Sequence, residues 1–313
     1  YRKGVVMFIL NPDPYSLPTY RIGPFRTADM SINHNLPDSC VFDDYLCERF
    51  NGKKYFYTEN GRHAINIALS SLFLQPDDVI TILTTTGNFY ISGCVTKEIE
   101  KFCRWSREIL PETKALLVNH EFGHPYRELS LLKKLGLPII EDCAGAFFSQ
   151  DEGCHTGAIG DFAIYSFPKM FPIQVGGLLV INNSWGHVRV NEPEQMLLRH
   201  IRNVMSRHII LKNEIIAQRI YNYNKLSELF GSLGLLPRFD LTSDSVPGVF
   251  MFRTNGKRID LPSLKKYYWD RGVQSSVFYG EEAFFIPVHQ ALTESDLDYF
   301  FELMQSFLQT DKR

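Results

Sequence analysis

The sequence predicts an α/β protein, with a mostly parallel sheet in a large domain followed by a smaller α+β domain. Three observations predict it. Short, nearly continuous apolar runs recur between residues 54 and 182, as in strands covered on both faces. Segments with helical spacing separate several of them, and strand–helix alternation marks a parallel sheet. After residue 185 the texture turns helical and rather polar before further strand candidates appear. The chain has 313 residues, 44% of them hydrophobic, enough for a large core and about two domains.

Residues 1–41 are rich in proline and turn formers (NPDPYSLP, INHNLPDS) and read as an irregular arm over the surface or onto a partner. VVMFIL (5–10) can form a strand and is far too short for a membrane span; no signal-peptide architecture follows it. Because the chain starts at Tyr1, a missing or processed start is expected. The large domain is expected over 42–184. It opens with FDDYLCERF as a short amphipathic helix and KYFYTE (54–59) as a strand. Asn60 then caps a helix carrying Ile65, Ala68, Leu69, Leu72 and Phe73. VITILT (79–84), ALLVN (115–119), PIIED (138–142), FAIYSF (162–167) and GLLVIN (177–182) read as buried strands. YRELSLLKKLG (126–136) reads as a helix with Gly136 at its C-terminal cap. In the small domain, 185–313, residues 194–230 read as helical, GVFMFRT and QSSVFYG as strands, and Thr293 begins a last helix.

A net charge of −2, spread along the chain, predicts neither nucleic-acid nor membrane binding. Six scattered cysteines without a CxxC pair read as reduced thiols of a cytoplasmic protein. HEFGH (120–124) matches the metalloprotease pattern H-E-x-x-H, which needs both histidines one turn apart on a helix. Here the pattern follows an apolar strand and contains Gly123 before Pro125, so a loop is expected and no metal. Cys154–His155 lacks partners at ligand spacing.

The chemistry centres on SFPKMFPIQVGG (166–177), where Lys169 is the one cation in an apolar run. Taken alone it fits a lysine whose stem packs while its ammonium reaches water. Asp142 ends a strand at the sheet edge where open α/β sheets bind ligands, or it caps the next turn. Asn60-Gly61-Arg62-His63 lies between a strand and a helix, a capped helix start that can also cup an anion. The Ser166 hydroxyl, three residues before Lys169, can join that cup. A phosphate cup, an acid for a pyridine nitrogen and a lysine for an aldehyde together describe a pyridoxal 5'-phosphate site.

With those residues in hand, the chain resembles the DegT/DnrJ/StrS family of pyridoxal-phosphate sugar aminotransferases. The resemblance rests on NGRHAINIALSSLFLQPDDVITIL, HEFGHPYRELSLLKKLGLPIIEDCAGAFF, DEGCHTGAIGDFAIYSF and GGLLV. IPVHQALTESDLDYFFELM extends it into the small domain. It covers about 42–182 well and 245–308 moderately. It implies the fold type I of pyridoxal-phosphate transferases, with a mostly parallel seven-stranded sheet. It implies catalytic roles for Lys169, which bonds the cofactor aldehyde, and Asp142, which faces the ring nitrogen. Gly61, Arg62 and Ser166 fall on phosphate-binding positions, and Phe89 falls where an aromatic residue stacks on the ring. The implied reaction moves an amino group, with glutamate as donor, onto a keto sugar expected to be nucleotide-linked, in a homodimer.

The chain also departs from the pattern. Gly145 stands where a histidine or glutamine is usual, and the serine-to-lysine spacing is three rather than five. RHIRNVMSRHIIL (199–211) replaces the asparagine–tyrosine–arginine segment, and several loops are short. A catalytically impaired or regulatory relative, or another sugar-modifying enzyme such as a dehydratase, therefore stays open as an alternative.

Overall fold

The computed structural model describes residues 19–151, 153–183 and 188–310; VVMFIL and the start of the arm lie outside the described residues. The described chain begins with α1 (Thr27–His34) and α2 (Val41–Phe50). α1 falls inside the stretch expected to be irregular. Its buried residues are Asp29 and Asn33, so no apolar stripe announces it. A local cap starts it instead: Asp29 Oδ2 accepts the Arg26 N–H at 2.7 Å, a carboxylate in the first turn where the helix dipole favours one.

The large sheet uses β1 (Lys54–Thr58), β2 (Val79–Thr84), β3 (Arg104–Ser106), β4 (Thr113–Asn119) and β5 (Ile139–Asp142). Between them lie α3 (Gly61–Ser70), α4 (Gly93–Ile99) and α5 (Leu129–Leu132). A small ribbon of β6 (Gln150–Asp151) and β7 (Cys154–His155) precedes β8 (Phe162–Ser166) and β9 (Gly177–Ile181). The order is β1-β9-β8-β5-β4-β2-β3, seven strands as expected. β3, β2, β4, β5 and β8 are mutually parallel, and β9 is antiparallel to both neighbours. The unbroken apolar runs follow from coverage of both faces. Leu116, Val118 and Ile139 pack on one face, and Ala115, Leu117, Ile140, Phe162 and Ile164 on the other.

The helix expected over 126–136 shortens to α5 and a 3-10 turn, Lys133–Leu135, closed by Gly136 at φ 68°. Leu129 is buried, but Leu131 and Leu135 are exposed. Too little burial is available to hold a longer helix. The edge strand β3, which is short and only half-buried, carried no clear apolar signal.

The remainder comprises α6 (Gln195–Ile209), α7 (Lys212–Ser232), β10 (Leu236–Pro237), β11 (Phe250–Arg253), α8 (Leu261–Trp269), β12 (Ser276–Phe278), β13 (Ala283–Ile286) and α9 (Glu294–Thr310). Its antiparallel sheet runs β10-β11-β13-β12. Tyr223 and Phe230 of α7 pack with Phe250, Phe252, Phe284 and the apolar side of α9 in one core. α6 behaves differently. Ile201, Val204, Met205 and Ile209 join Phe42, Leu46 and Phe167 in the core of the large sheet. It begins beyond residue 185 in sequence yet packs with the large domain. Among the described residues no helix is long and apolar enough to cross a membrane.

Four histidines sit where burial holds the imidazole neutral. His124 and His289 are pushed down to about 3, His155 and His208 to about 4. In the unfolded chain these groups titrate near 6.5, so between that value and about 4 the unfolded state binds more protons. Stability therefore rises with pH across this window and is lost as pH falls through it. The urea midpoint is expected to be lower at about pH 5 than at about pH 7.5. His124→Phe keeps a ring against Phe239, which stacks 4.1 Å from the His124 ring, and should lose less stability over the same interval.

Candidate active site

The site is built at the carboxyl ends of β4, β5 and β8. β5 ends in two adjacent carboxylates, Glu141 and Asp142, and the alternation of a strand sends them to opposite faces. Glu141 is fully buried and binds chain. Its oxygens accept N–H groups from Gly157 at 2.8 Å, Ile159 at 2.9 Å and Gly160, and it meets His120 Nε2 at 2.9 Å. Burial acts to raise this carboxyl, but the bonds from His120, Gly160 and Gly157 outweigh it and hold it below its ordinary value. His120 Nδ1 accepts the Tyr126 N–H at 3.0 Å, so the hydrogen of the neutral ring lies on the Nε2 that faces Glu141. The Cys143 thiol is within 4.8 Å of both, but the carboxylate and the imidazole already have these chain partners.

HEFGH forms a loop with one 3-10 turn, Glu121–Gly123. Its two histidines serve different neighbours, His120 bonding Glu141 and His124 stacking on Phe239. Gly123 has φ 92°, and a Cβ there would lie 2.0 Å from Val246 O. Only glycine allows the loop to meet the 246–248 segment, where the Gly248 N–H donates to Phe122 O at 2.7 Å.

Asp142 faces a cavity of about 670 Å³ that lies between the large sheet and the small domain. Asn119 Nδ2 donates to its Oδ2 at 2.8 Å, and the Ala144 N–H to its Oδ1 at 3.1 Å. Burial pushes its carboxyl up, while those two bonds and the charge of Lys169 act in the opposite direction. Gly61, Arg62, Ser166 and Lys169 line the same cavity. Asn60 caps α3 as expected, its Oδ1 accepting the His63 N–H at 3.0 Å. A Cβ on Gly61 would be 3.3 Å from Ser166 Cβ, so the helix start and the end of β8 are side by side. Lys169 ends a 3-10 turn, Phe167–Lys169, is exposed, and lines the same cavity.

Phe89 is the departure. It does not line the cavity, and its side chain is 75% exposed. Asn88 is turned inward, where its Nδ2 donates to Tyr279 O at 2.9 Å. Phe89 lies at a bend just after Asn88 and faces out. Tyr90 and Phe122 are the aromatic residues from this side that reach the cavity. Gly145 packs against the 122–123 backbone: a Cβ there would meet Phe122 Cα and Gly123 N at 3.6 Å, an ordinary van der Waals contact.

Sequence reasoning missed Asn119, which ends ALLVN and orients Asp142, and Arg219 on α7. Arg219 is wholly buried, and the three oxygens it donates to are all neutral. It donates to Gln290 Oε1 at 2.9 Å, Pro247 O at 3.0 Å and Lys169 O at 3.2 Å. Gln290 Nε2 in turn donates to Met170 O at 2.9 Å. Together they tie the lysine-bearing turn to the small domain. An arginine on a helix gives no sequence signal of such a role.

Comparison with known proteins bears out the family resemblance. The profile of the DegT/DnrJ/EryC1/StrS aminotransferase family matches residues 103–197. GDP-perosamine synthase of Escherichia coli O157:H7 is 28% identical over 160 residues, 45% of this chain and 44% of that protein. The match thus spans under half of that relative's length. The crystal structure of the aminotransferase TlmJ from Streptoalloteichus hindustanus superposes with a TM-score of 0.72 at 17% identity, covering 90% of this chain and 95% of that one. Spr1654 from Streptococcus pneumoniae, solved in a PLP-form, gives 0.71 at 14% identity, covering 97% and 99%. The fold is that of the pyridoxal-phosphate aminotransferases.

The Arg219 clamp predicts an asymmetric pair of substitutions. Arg219→Met strips three acceptors of their donor but also removes a buried charge, for an expected net loss of about 2 kcal/mol. Arg62→Met, at an exposed position of the cavity wall, should change stability by no more than about 0.5 kcal/mol. Urea titration of both variants checks this.

Proposed function

We propose that this chain is a pyridoxal 5'-phosphate-dependent aminotransferase that moves an amino group, with glutamate as donor, onto a keto sugar carried on a nucleotide. The observation that carries it is one cavity lined by a helix start, a strand-end carboxylate and a lysine. Each matches a different part of the cofactor. The start of α3 at Gly61 and Arg62, with Ser166 beside it, suits the phosphate. Asp142, held by Asn119 and the Ala144 N–H, suits the ring nitrogen. Lys169 suits the aldehyde. Tyr90, next to Phe89 in the chain, takes the packing role expected of Phe89.

When bound, pyridoxal phosphate supplies a ring that withdraws electrons from the substrate carbon. The chain supplies position and protons. Asn119 keeps the Asp142 carboxylate aimed into the cavity, where a cationic ring nitrogen would favour its ionised form. With the cofactor held there, the Lys169 amine would serve as the general base that accepts the proton lost by the donor's amine-bearing carbon and, in the second half of the reaction, as the general acid toward the acceptor's carbon. The packed loops around Glu141 and the small-domain wall restrict water. A cytoplasmic homodimer is part of the same proposal.

Gly145 supports a second reading, a family relative that binds the cofactor without turning over. The two readings separate in one experiment. Purified with pyridoxal phosphate, the chain should show a visible band from lysine-bound cofactor, and Lys169→Ala should lose it. Added glutamate should convert that band to the pyridoxamine form, and Lys169→Ala should slow turnover by about 10²–10⁴-fold or more. A band unchanged in Lys169→Ala sinks the proposal. A band that no amino donor converts favours the second reading.

A further inference from the structure

The small-domain wall of the cavity carries groups that the proposed cofactor does not use. Lys265 and Trp269 come from α8, one turn apart and therefore on one face. Ser275 and Ser276 follow at the start of β12. Much of this wall is already engaged. Trp269 Nε1 donates to Ser275 O at 2.7 Å. Gln274 Oε1 accepts the Ile22 N–H at 2.8 Å, and its own N–H donates to Tyr20 O at 2.8 Å.

Two groups are left over. Ser275 is 2% exposed, and its Oγ has no hydrogen-bond partner among the described residues. The Lys265 ammonium lies over the Tyr279 ring at 6.0 Å, and among the described residues it forms no ion pair. The cavity wall holds three cationic side chains, Arg62, Lys169 and Lys265. Under the proposed function, on which this inference rests, the cofactor phosphate occupies Arg62 and its aldehyde occupies Lys169. Lys265 is then the one cation of this wall without an opposite charge. A neutral sugar and a cofactor would not supply one.

We infer that Lys265, with the Ser275 hydroxyl, forms an anion subsite that recognises a charged oxygen group of the substrate, on the wall opposite the cofactor. The shared chemistry is a phosphate or carboxylate oxygen accepting from an ammonium and a buried hydroxyl. Trp269, one turn further along α8, lines the same wall with its indole N–H donated to Ser275 O. The charged group is either the diphosphate of the acceptor or the distal carboxylate of the donor.

Calorimetric titration of the cofactor-loaded chain with inorganic pyrophosphate and with glutarate tests this. Lys265→Gln is expected to weaken one of the two by about tenfold, and Lys265→Arg to retain most of that binding. Neither variant should alter the visible spectrum. A loss confined to pyrophosphate assigns the subsite to the acceptor, and one confined to glutarate assigns it to the donor. Equal affinities in wild type and Lys265→Gln for both probes, or no binding of either to wild type, overturn the inference. So does a changed spectrum in Lys265→Gln, which would place that lysine with the cofactor. The spectrum without added probe reports on the cofactor alone, so failure of the proposed function and failure of the subsite give different results.

Discussion

The buried carboxylate of Glu141 is the constraint on which the site depends. It is the next-to-last residue of the central strand of a seven-stranded sheet and is surrounded by donors from two loops, 157–160 and the segment beginning at His120. A buried charge is tolerated only when its oxygens are met, and here they are met by backbone N–H groups that cannot move without unpairing it. The loops are thereby drawn over one face at the end of β5. Asp142, the next residue, is left to face the cavity on the other.

The second requirement is that the lysine turn keep its distance from β5. Residue 169 leaves the sheet on a short 3-10 turn, which local hydrogen bonding alone holds weakly. Arg219 and Gln290 supply the missing restraint by binding the carbonyls of Lys169 and Met170. Because Arg219 also binds Pro247 O, and Gly248 binds Phe122 O, the same contacts set where the small-domain wall stands. The cavity's two walls are therefore coupled through backbone carbonyls, and the Arg127–Asp244 ion pair at 3.2 Å adds a further link between the domains.

Much of this was legible along the chain. Strands buried on both faces announced themselves through unbroken apolar runs: VITILT, ALLVN, PIIED, FAIYSF and GLLVIN are all strands of the sheet, and KYFYTE is a sixth. Asn60, Gly61, Asp142, Ser166 and Lys169 were legible because each sits at an element end, where residue type has a narrow set of physical uses. Elements held by tertiary contact were not. α1 is started by one carboxylate, the edge strand β3 is half-buried, and α5 is short because its leucines find nothing to pack against.

By itself the sequence determined the fold class, the order of the sheet-forming runs and the set of groups at their ends, since these follow from periodicity and from local backbone chemistry. Only the tertiary structure decided which aromatic ring faces the cavity: Tyr90 lines it, while Asn88 bonds Tyr279 O of the small domain and Phe89 is turned outward. It likewise decided that α6 packs with the large domain, that an arginine on α7 holds the lysine turn, and that Lys265 shares a cavity with Lys169. Those facts depend on contacts between residues tens to hundreds of positions apart, and no local pattern in a chain encodes them.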